Sequence, residues 1–162
     1  MIVVADTSPL LALLAVRQAE ILPRLFQRVV VPEGVRAELA RSHPDLPGWV
    51  QVETVKKPAE ARRLAAMVDW GEAEAIELAK ELRADRLLMD ERKGRKLAMA
   101  EGLEVIGVVG VLILARQKNL IPSLAKIFEA LRGEAGFYLS DFLVAEALRA
   151  CGEDAEKEGG RR

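Results

Sequence analysis

Short runs of β-branched residues alternate along this chain with longer stretches whose apolar residues recur every three or four positions. The runs Ile2–Ala5 and Val29–Val31 are each followed by such a stretch, and Arg86–Met89 and Val105–Ile106 repeat the pattern further on. Strands separated by helical patterns of this length are typical of βαβ units, which place their strands side by side in a parallel sheet. We therefore predict an α/β fold with a mainly parallel central sheet.

The stretches between these runs predict helices with recognisable ends. Ser8 can cap a helix N-terminus, and Pro9 fits the first turn, where a missing backbone N–H is tolerated. The clearest helix covers Gly71–Leu82, because its apolar residues fall on one face of a helix. Prolines and a glycine between residues 42 and 57 indicate a loop with a short strand around Val50–Val55. Further helices are predicted, in chain order, over Glu33–Arg41, Pro58–Met67, Arg92–Glu101, Val111–Lys118, Ser123–Leu131 and Asp141–Ala150.

The length and composition suit one domain. A chain of 162 residues that is 51% hydrophobic is sufficient for a single core. We predict that residues 1–150 form this domain and that residues 151–162, which are polar and rich in Gly and Glu, form a disordered tail. The longest apolar runs fall short of the roughly 20 residues that a membrane span requires. Because Asp6 also interrupts any secretory signal, we expect a cytoplasmic protein with no membrane contact.

Acidic residues stand where strands should end or helices begin. Asp6 follows the predicted strand Ile2–Ala5, and Asp90 follows the run Arg86–Met89. Glu38 and Glu72 lie on predicted helices. Because an α/β sheet gathers the carboxyl ends of its strands into one crevice, these distant acids can become neighbours. Crowded carboxylates repel one another, and hard divalent cations prefer oxygen ligands. The pattern predicts a divalent metal site, although an acid in a first helical turn, such as Glu72, also complements the helix dipole by itself.

The charge balance excludes a protein that coats nucleic acid by bulk electrostatics. The net charge is −1, so a polyanion would need a local basic patch. Basic residues that can form such patches lie next to the acids in the sequence. The alternative is that they are ordinary exposed side chains on helix faces. They are Arg92, Lys93, Arg95 and Lys96 after Asp90, and Arg36 and Arg41 on either side of Glu38.

Nucleophilic and zinc-dependent schemes have little support. Cys151 is the single cysteine and His43 the single histidine, so neither an internal disulfide nor a Cys/His zinc site can form. The sequence from Gly107 to Gly110 lacks the spacing and the Lys-Ser/Thr pair of a nucleotide-binding loop. One tyrosine, two tryptophans and four phenylalanines argue against an extended base-stacking platform.

Taken in order, these residues resemble a known family. The chain is similar to PIN domains over about residues 1–150, and more narrowly to a prokaryotic branch of small PIN proteins related to VapC toxins. Each motif is weak alone, but their order and spacing are fairly specific. The motifs are Val3-Val4-Ala5-Asp6-Thr7-Ser8-Pro9-Leu10, Val31-Pro32 followed by Glu38, Gly71-Glu72-Ala73-Glu74-Ala75-Ile76, and Leu87-Leu88-Met89-Asp90 followed by Arg95.

The resemblance implies a ribonuclease that depends on Mg²⁺ or Mn²⁺ and has a three-layer α/β/α fold. Such proteins are often homodimers and are often paired with an antitoxin protein. Asp6, Glu38, Glu72 and Asp90 match the four acids of the family in chain order, and Thr7 or Ser8 matches a hydroxyl that braces the first acid.

The chain also departs from the family pattern at three positions. Glu72 replaces the more common Asp at the third acid, and so its carboxylate reaches one methylene further. Leu88 stands where many members have Thr or Ser, and Arg92 where some have a further acid. Two alternatives are open for Glu91: it compensates for that acid, or its side chain points to solvent. These differences affect the expected number of bound metal ions and the catalytic activity more than the expected fold.

On this reading the reaction is metal-assisted hydrolysis of RNA phosphodiester bonds by water. Asp6, Asp90 and Glu72 would hold one or two cations, and Glu38 would bind a second ion or orient the water. The candidate substrate-binding residues are Ser8, Arg92, Lys93 and Arg95; cationic side chains of this kind position a nucleic acid backbone without reading its sequence.

Three alternatives belong to other functional classes. The strongest is a PIN scaffold that binds RNA or a protein partner without cleavage, which the altered third acid and the low net charge favour. A phosphoacceptor signalling domain is disfavoured because only Asp6 follows the first strand and no suitable lysine follows the last. A phosphatase with an Asp-x-Asp nucleophile is disfavoured because Ser8 occupies the position of the second Asp.

Overall fold

Five parallel strands form the central sheet in the computed structural model, which describes residues 1–153. The strand order across the sheet is β3-β2-β1-β4-β5, so β1 occupies the centre and the chain first winds to one side and then to the other. The prediction of a mainly parallel sheet is confirmed, because every pair of neighbouring strands is parallel. The strands are β1 (Ile2–Ala5), β2 (Arg28–Pro32), β3 (Val50–Glu53), β4 (Arg86–Leu88) and β5 (Val105–Ile106).

Nine helices connect and cover these strands within residues 1–153. They are α1 (Thr7–Ala15), α2 (Ile21–Leu25), α3 (Glu33–Ala40), α4 (Pro58–Leu64), α5 (Trp70–Leu82), α6 (Arg92–Ala100), α7 (Val108–Gln117), α8 (Leu124–Gly133) and α9 (Asp141–Ala150).

Some helix starts, and one whole helix, differ from the sequence prediction. Helix α1 begins at Thr7 with Asp6 in the N-cap position, so Ser8 does not cap it. Helix α7 begins at Val108 with Gly107 in the N-cap position, three residues before the predicted start. Helix α2 was not predicted, because its five residues are too few to show a helical period and its first two residues are simply buried in the core.

Helices lie on both faces of the sheet and complete a three-layer α/β/α sandwich, as predicted. Successive strand residues point to opposite faces, which is why Val3 and Ala5 join one core whereas Val4 joins the other. The first core contains buried residues of α1, α2, α3, α7, α8 and α9, and the second contains those of α4, α5 and α6. Helix α3 contacts both α1 and α5.

The register of the central strands brings two predicted site acids to one edge. Ala5 of β1 pairs with Leu88 of β4, and the backbone N–H of Asp6 donates to the carbonyl oxygen of Leu88 at 2.9 Å. Asp6 and Asp90 therefore both lie just beyond the carboxyl ends of adjacent strands. This is the edge at which α/β sheets generally form their binding crevices.

Helix α5 is buried on more than one side. The sequence predicted one apolar face, yet every residue from Gly71 to Ala79 is buried, because α3 and α4 also pack against this helix. The three glutamates of this stretch are therefore buried, including Glu74, whose Oε1 accepts a hydrogen bond from the N–H of Gly34 at 2.7 Å. The Oε2 atom of Glu77 has no hydrogen-bond partner among the described residues.

The last described residues pack against the helices before them. Residues 154–162 of the predicted tail lie outside the described residues, but residues 151–153 belong to the packed body. The carboxylate of Glu153 accepts hydrogen bonds from the N–H groups of Leu124 and Ala125 at the start of α8, at 2.8 and 3.3 Å. It also accepts from Nε of Arg116 in α7 at 2.9 Å. Glu153 thus connects the end of the domain to two other helices.

Over residues 1–153, none of the helices combines the length and the apolar character that crossing a membrane requires.

We expect the substitution Glu153→Gln to lower the free energy of unfolding by about 1.5–3 kcal/mol at neutral pH, because it removes a charged acceptor that is only 12% exposed. Burial raises the pKa of Glu153, but the backbone N–H groups, Arg116 and Ser123 outweigh it and hold the pKa below its ordinary value of 4.5. The stabilisation is therefore complete above pH 4.5 and is lost as the pH falls through the lower pKa of the folded state.

Urea unfolding of the wild type and the variant between about pH 3 and 8 measures this difference. Glu146→Gln is the matched control, because the ion pair of Glu146 with Arg149 is exposed and should contribute less than about 1 kcal/mol. An equal loss of stability in both variants, or a loss in Glu153→Gln that does not shrink as the pH falls from 4.5 towards about 3, would contradict the proposed role of Glu153.

Candidate active site

Asp6 is the most deeply buried acid at the carboxyl edge of the sheet. It follows the central strand β1 directly and only 4% of its surface is exposed. Its pKa is raised from 3.8 to about 7, mainly by burial; the backbone N–H of Thr7 opposes the rise, and the charges of Glu72, Asp69 and Glu38 add to it. Three other acids therefore lie within electrostatic range of Asp6.

Glu72 enters the site from the first turn of α5. The side chain of Asp69 accepts a hydrogen bond from the N–H of Glu72 at 2.8 Å, and the Glu72 carboxylate accepts one from the N–H of Asp69 at 3.3 Å. This reciprocal pair is a capping box, which fixes the start of the helix. Burial raises the pKa of Glu72 to about 7, with further contributions from the charges of Asp69, Glu91 and Glu38.

Glu38 approaches the same place from α3. A Cβ added at Gly71 would lie only 2.6 Å from Oε1 of Glu38, so the Glu38 carboxylate lies directly against the first turn of α5. Glu38 itself is half-buried. We call Asp6, Glu38, Asp69 and Glu72 the acidic cluster.

Asp69 was missed by the sequence analysis, although a signal for it is present. Asp69 and Glu72 are three residues apart and precede an apolar helical run, which is the sequence pattern of a capping box. Since α5 was predicted to begin at Gly71, the residue in front of it was not considered. A cap prediction for α5 would have added Asp69 to the candidate acids.

Asp90 lies at the same edge of the sheet but faces a different helix. Its carboxylate accepts hydrogen bonds from the N–H of Val108 at the start of α7, at 3.1 and 3.3 Å. Burial raises its pKa, whereas Val108 and the charge of Arg95 lower it, and no acid is among the causes. The structure therefore gathers three of the four predicted acids with Asp69, and turns the carboxylate of Asp90 towards α7.

The donor chemistry of the acidic cluster fits a hard divalent cation. All four side chains offer carboxylate oxygens, and the pKa of about 7 for both Asp6 and Glu72 reflects the cost of gathering negative charge in a buried place. Within residues 1–153, however, no three Asp, Glu, His or Cys side chains already form a ligand set. The capping box holds the Glu72 carboxylate beside the N–H of Asp69, and the Glu38 carboxylate lies beside Gly71.

The candidate substrate-binding residues have different surroundings. Arg92 and Lys93 are exposed, and Lys93 borders a cleft of about 430 Å³ together with Asp69, Glu72 and Glu91. Arg95 is half-buried, and its Nη1 donates to the carbonyl oxygen of Met89 at 3.0 Å. Arg95 thus supports the loop around Asp90 besides contributing charge.

The two hydroxyl groups after Asp6 also differ from each other. Ser8 is exposed and borders a separate cleft with His43 and Tyr138. Thr7 is buried, and its Oγ1 has no hydrogen-bond partner among the described residues. A buried hydroxyl group without a partner is uncommon in native structures, so Thr7 is the more notable neighbour of Asp6.

Comparison with known proteins identifies the family to which the chain belongs. A family model described as a PIN domain matches residues 2–153, which is nearly the whole chain and all but the first of the described residues. The protein therefore belongs to the PIN-domain family, as the sequence motifs indicated. PIN domains are generally nucleases, and these nucleases generally use divalent metals. No curated protein and no solved structure matches the chain.

The raised pKa values of Asp6 and Glu72 predict that the metal-free protein loses stability as the pH rises. Both groups bind protons more tightly in the folded state than in the unfolded state, so stability should fall between about pH 4 and 7 and then level off. We expect a total loss of at least about 2 kcal/mol. Urea unfolding in EDTA from pH 5 to 8 measures this loss.

The substitution Asp6→Asn removes one of the two titrating groups and should flatten this pH profile. Addition of Mg²⁺ at pH 8 should restore part of the stability of the wild type and less of that of the variant. A free energy of unfolding of the wild type that rises from pH 5 to 8 would contradict this prediction. The same pH dependence in Asp6→Asn as in the wild type would likewise show that ionisation of the acidic cluster does not destabilise the fold.

Proposed function

We propose that this PIN-domain protein is a ribonuclease that depends on Mg²⁺ or Mn²⁺ and hydrolyses RNA phosphodiester bonds. The observation that carries the proposal is the burial of Asp6 and Glu72 beside Glu38 and Asp69 at the carboxyl edge of the sheet, with pKa values of about 7 for the first two. A divalent cation would neutralise this charge and at the same time supply the chemistry of the family.

Asp6 and Glu72 would be the principal metal ligands, with Glu38 and Asp90 on either side of them. Asp6 is anchored by the central strand and Glu72 by the capping box, so both backbone positions are rigid. A bound cation lowers the pKa of a coordinated water molecule and offsets the charge that develops on the phosphate. Glu38, which is only half-buried, would accept a hydrogen bond from the attacking water and orient it.

Cationic side chains on α6 would bind the substrate backbone. Arg92 and Lys93 are exposed on the first turn of α6, close to Glu91 and Glu72, and so could contact phosphate groups that approach the acidic cluster. Arg95 would act indirectly, through its contacts with Met89 and Asp90. Contacts of this kind position the nucleic acid but do not select its sequence.

The choice of RNA, and the partners of the protein, rest on the resemblance to VapC-like toxins. From the same resemblance we propose a homodimer and an antitoxin protein that binds it. Support for a protein partner comes from a groove of about 520 Å³ beside α6, which is lined by Met67, Val68 and Leu97 and bordered by Lys93 and Lys96. An apolar groove with a basic rim would suit a partner segment that is apolar and acidic.

A PIN scaffold that binds RNA or a protein without cleavage is the second candidate. The observation that favours it is that no three acidic, His or Cys side chains within residues 1–153 already form a ligand set. Glu72 is also hydrogen-bonded in the capping box, which gives this glutamate a purely structural use. The two candidates differ in one measurable property, which is cleavage that depends on a divalent metal.

We expect the wild type to cleave single-stranded RNA with Mg²⁺ or Mn²⁺ and not in EDTA, and Asp6→Asn to reduce this activity at least about a hundredfold. Loss of residues that merely support metal ligands already costs 10–100-fold, and Asp6 would be a ligand itself. Glu129→Gln is the control, because Glu129 is an exposed acid on α8, and its substitution should leave activity unchanged.

Equal activity of the wild type and Asp6→Asn would identify a contaminating nuclease. Absence of metal-dependent cleavage by the wild type, together with RNA or protein binding, would favour the scaffold. A crystal soaked in Mn²⁺ provides the direct test of the ligands, since anomalous density beside Asp6 and Glu72 is expected. Density elsewhere, or none at neutral pH, would count against the site.

A further inference from the structure

A cavity of about 540 Å³ opens beside Asp90, on the side of this residue that faces α7. Its polar end is formed by Asp90 and Arg95, and its walls include the apolar side chains of Val109 and Ile113. Tyr138, in the loop between α8 and α9, also lines this cavity. Pockets for small molecules typically have volumes of about 300–1,000 Å³, so this cavity is large enough for a single nucleotide.

Tyr138 is unusually exposed for an aromatic residue. Tyr138 is 86% exposed, although Phe137 before it packs on the core and Leu139 after it is buried. Tyr138 also borders the cleft that contains Ser8, so its ring stands between two openings at the carboxyl edge of the sheet. The contacts of its neighbours hold this segment in place, whereas packing of the domain does not account for the ring itself.

We propose that Tyr138 stacks on an unpaired base of the bound RNA and thereby makes the protein select single-stranded substrates. A nucleobase has flat apolar faces and a polar edge. The cavity offers an aromatic ring and aliphatic walls for the faces, and a carboxylate and a guanidinium for the edge. This inference rests on the proposed function, which identifies the polymer as RNA. It adds the residue that makes the protein select single-stranded over duplex RNA.

The position of Tyr138 explains why the selection would favour single strands. In a duplex the faces of the bases are covered by their neighbours, so an aromatic side chain reaches them only where the strand is unpaired. The chain has a single tyrosine and few other aromatic residues. One stacking position beside the acidic edge needs only one exposed ring, whereas an extended platform would need several.

The binding experiment uses short fluorescent RNA and measures fluorescence anisotropy in EDTA, so that no metal-dependent cleavage occurs. Tyr138→Ala should weaken binding of single-stranded RNA about tenfold and leave the weaker binding of duplex RNA unchanged. Tyr138→Phe keeps the ring and should bind as the wild type does. Phe142→Ala is the matched control, because Phe142 is 77% exposed but does not line the cavity. The acidic cluster repels RNA equally in all four proteins, so their affinities can be compared directly.

A second set of RNA molecules carries one abasic nucleotide at successive positions. One position should weaken binding to the wild type about tenfold and have little further effect on Tyr138→Ala, because the same contact is already absent. An equal abasic effect in both proteins would place the recognised base elsewhere and overturn the proposal. Unchanged binding by Tyr138→Ala would also overturn it.

Light scattering separates this proposal from a protein interface at the same loop. If Tyr138→Ala and Phe142→Ala both change the mass of the protein in solution while RNA affinity stays the same, the exposed aromatic residues bind protein and the proposal is wrong. The outcome is independent of catalysis. If the wild type binds RNA through Tyr138 but never cleaves it, only the proposed nuclease activity is contradicted. If the protein cleaves RNA but binds it equally well without Tyr138, only the proposed stacking is contradicted.

Discussion

The burial of negative charge at the end of the central strand is the constraint on which the rest of the site depends. Asp6 is placed by β1, which has neighbours on both sides in the sheet, so the position of its carboxylate is fixed by the most protected part of the fold. Burial, together with the charges of Glu72, Asp69 and Glu38 around it, raises the pKa of Asp6 to about 7, which is a cost in the absence of a cation. The PIN-domain fold keeps an arrangement that is unfavourable by itself, and this is what makes it a candidate for catalysis.

The architecture could be predicted from the sequence because its signals are local. The β-branched runs of β1 and β5 and the helical pattern of α5 can be recognised without knowledge of the fold. The rules for connections between parallel strands then allow only a few topologies. The common edge for Asp6 and Asp90 follows from the same rule. Helix α2, in contrast, has only five residues and is stabilised by burial of Ile21 and Leu22, which the sequence does not reveal.

The orientation of side chains at the site could not be predicted in the same way. The sequence placed Asp90 at the correct edge, but the N–H of Val108 that binds its carboxylate is available only because α7 starts earlier than its apolar pattern suggests. Asp69 joins the acidic cluster because a capping box determines where α5 begins. In both cases the position of a carboxylate depends on one backbone N–H at a helix end, and helix ends are the least certain part of any sequence prediction.

Glu153 also has a consequence for how the chain reaches its final form during synthesis. The layer of α7, α8 and α9 gains its connection to Arg116 and to the start of α8 only when the last residue of the described body is in place. A nascent chain can thus assemble the strands and the acidic edge while this layer is still incomplete, since domains begin to fold from the N-terminus. Any fusion or truncation that ends before residue 153 would leave the N-terminal turn of α8 without its acceptor, even though every residue of the acidic cluster is present.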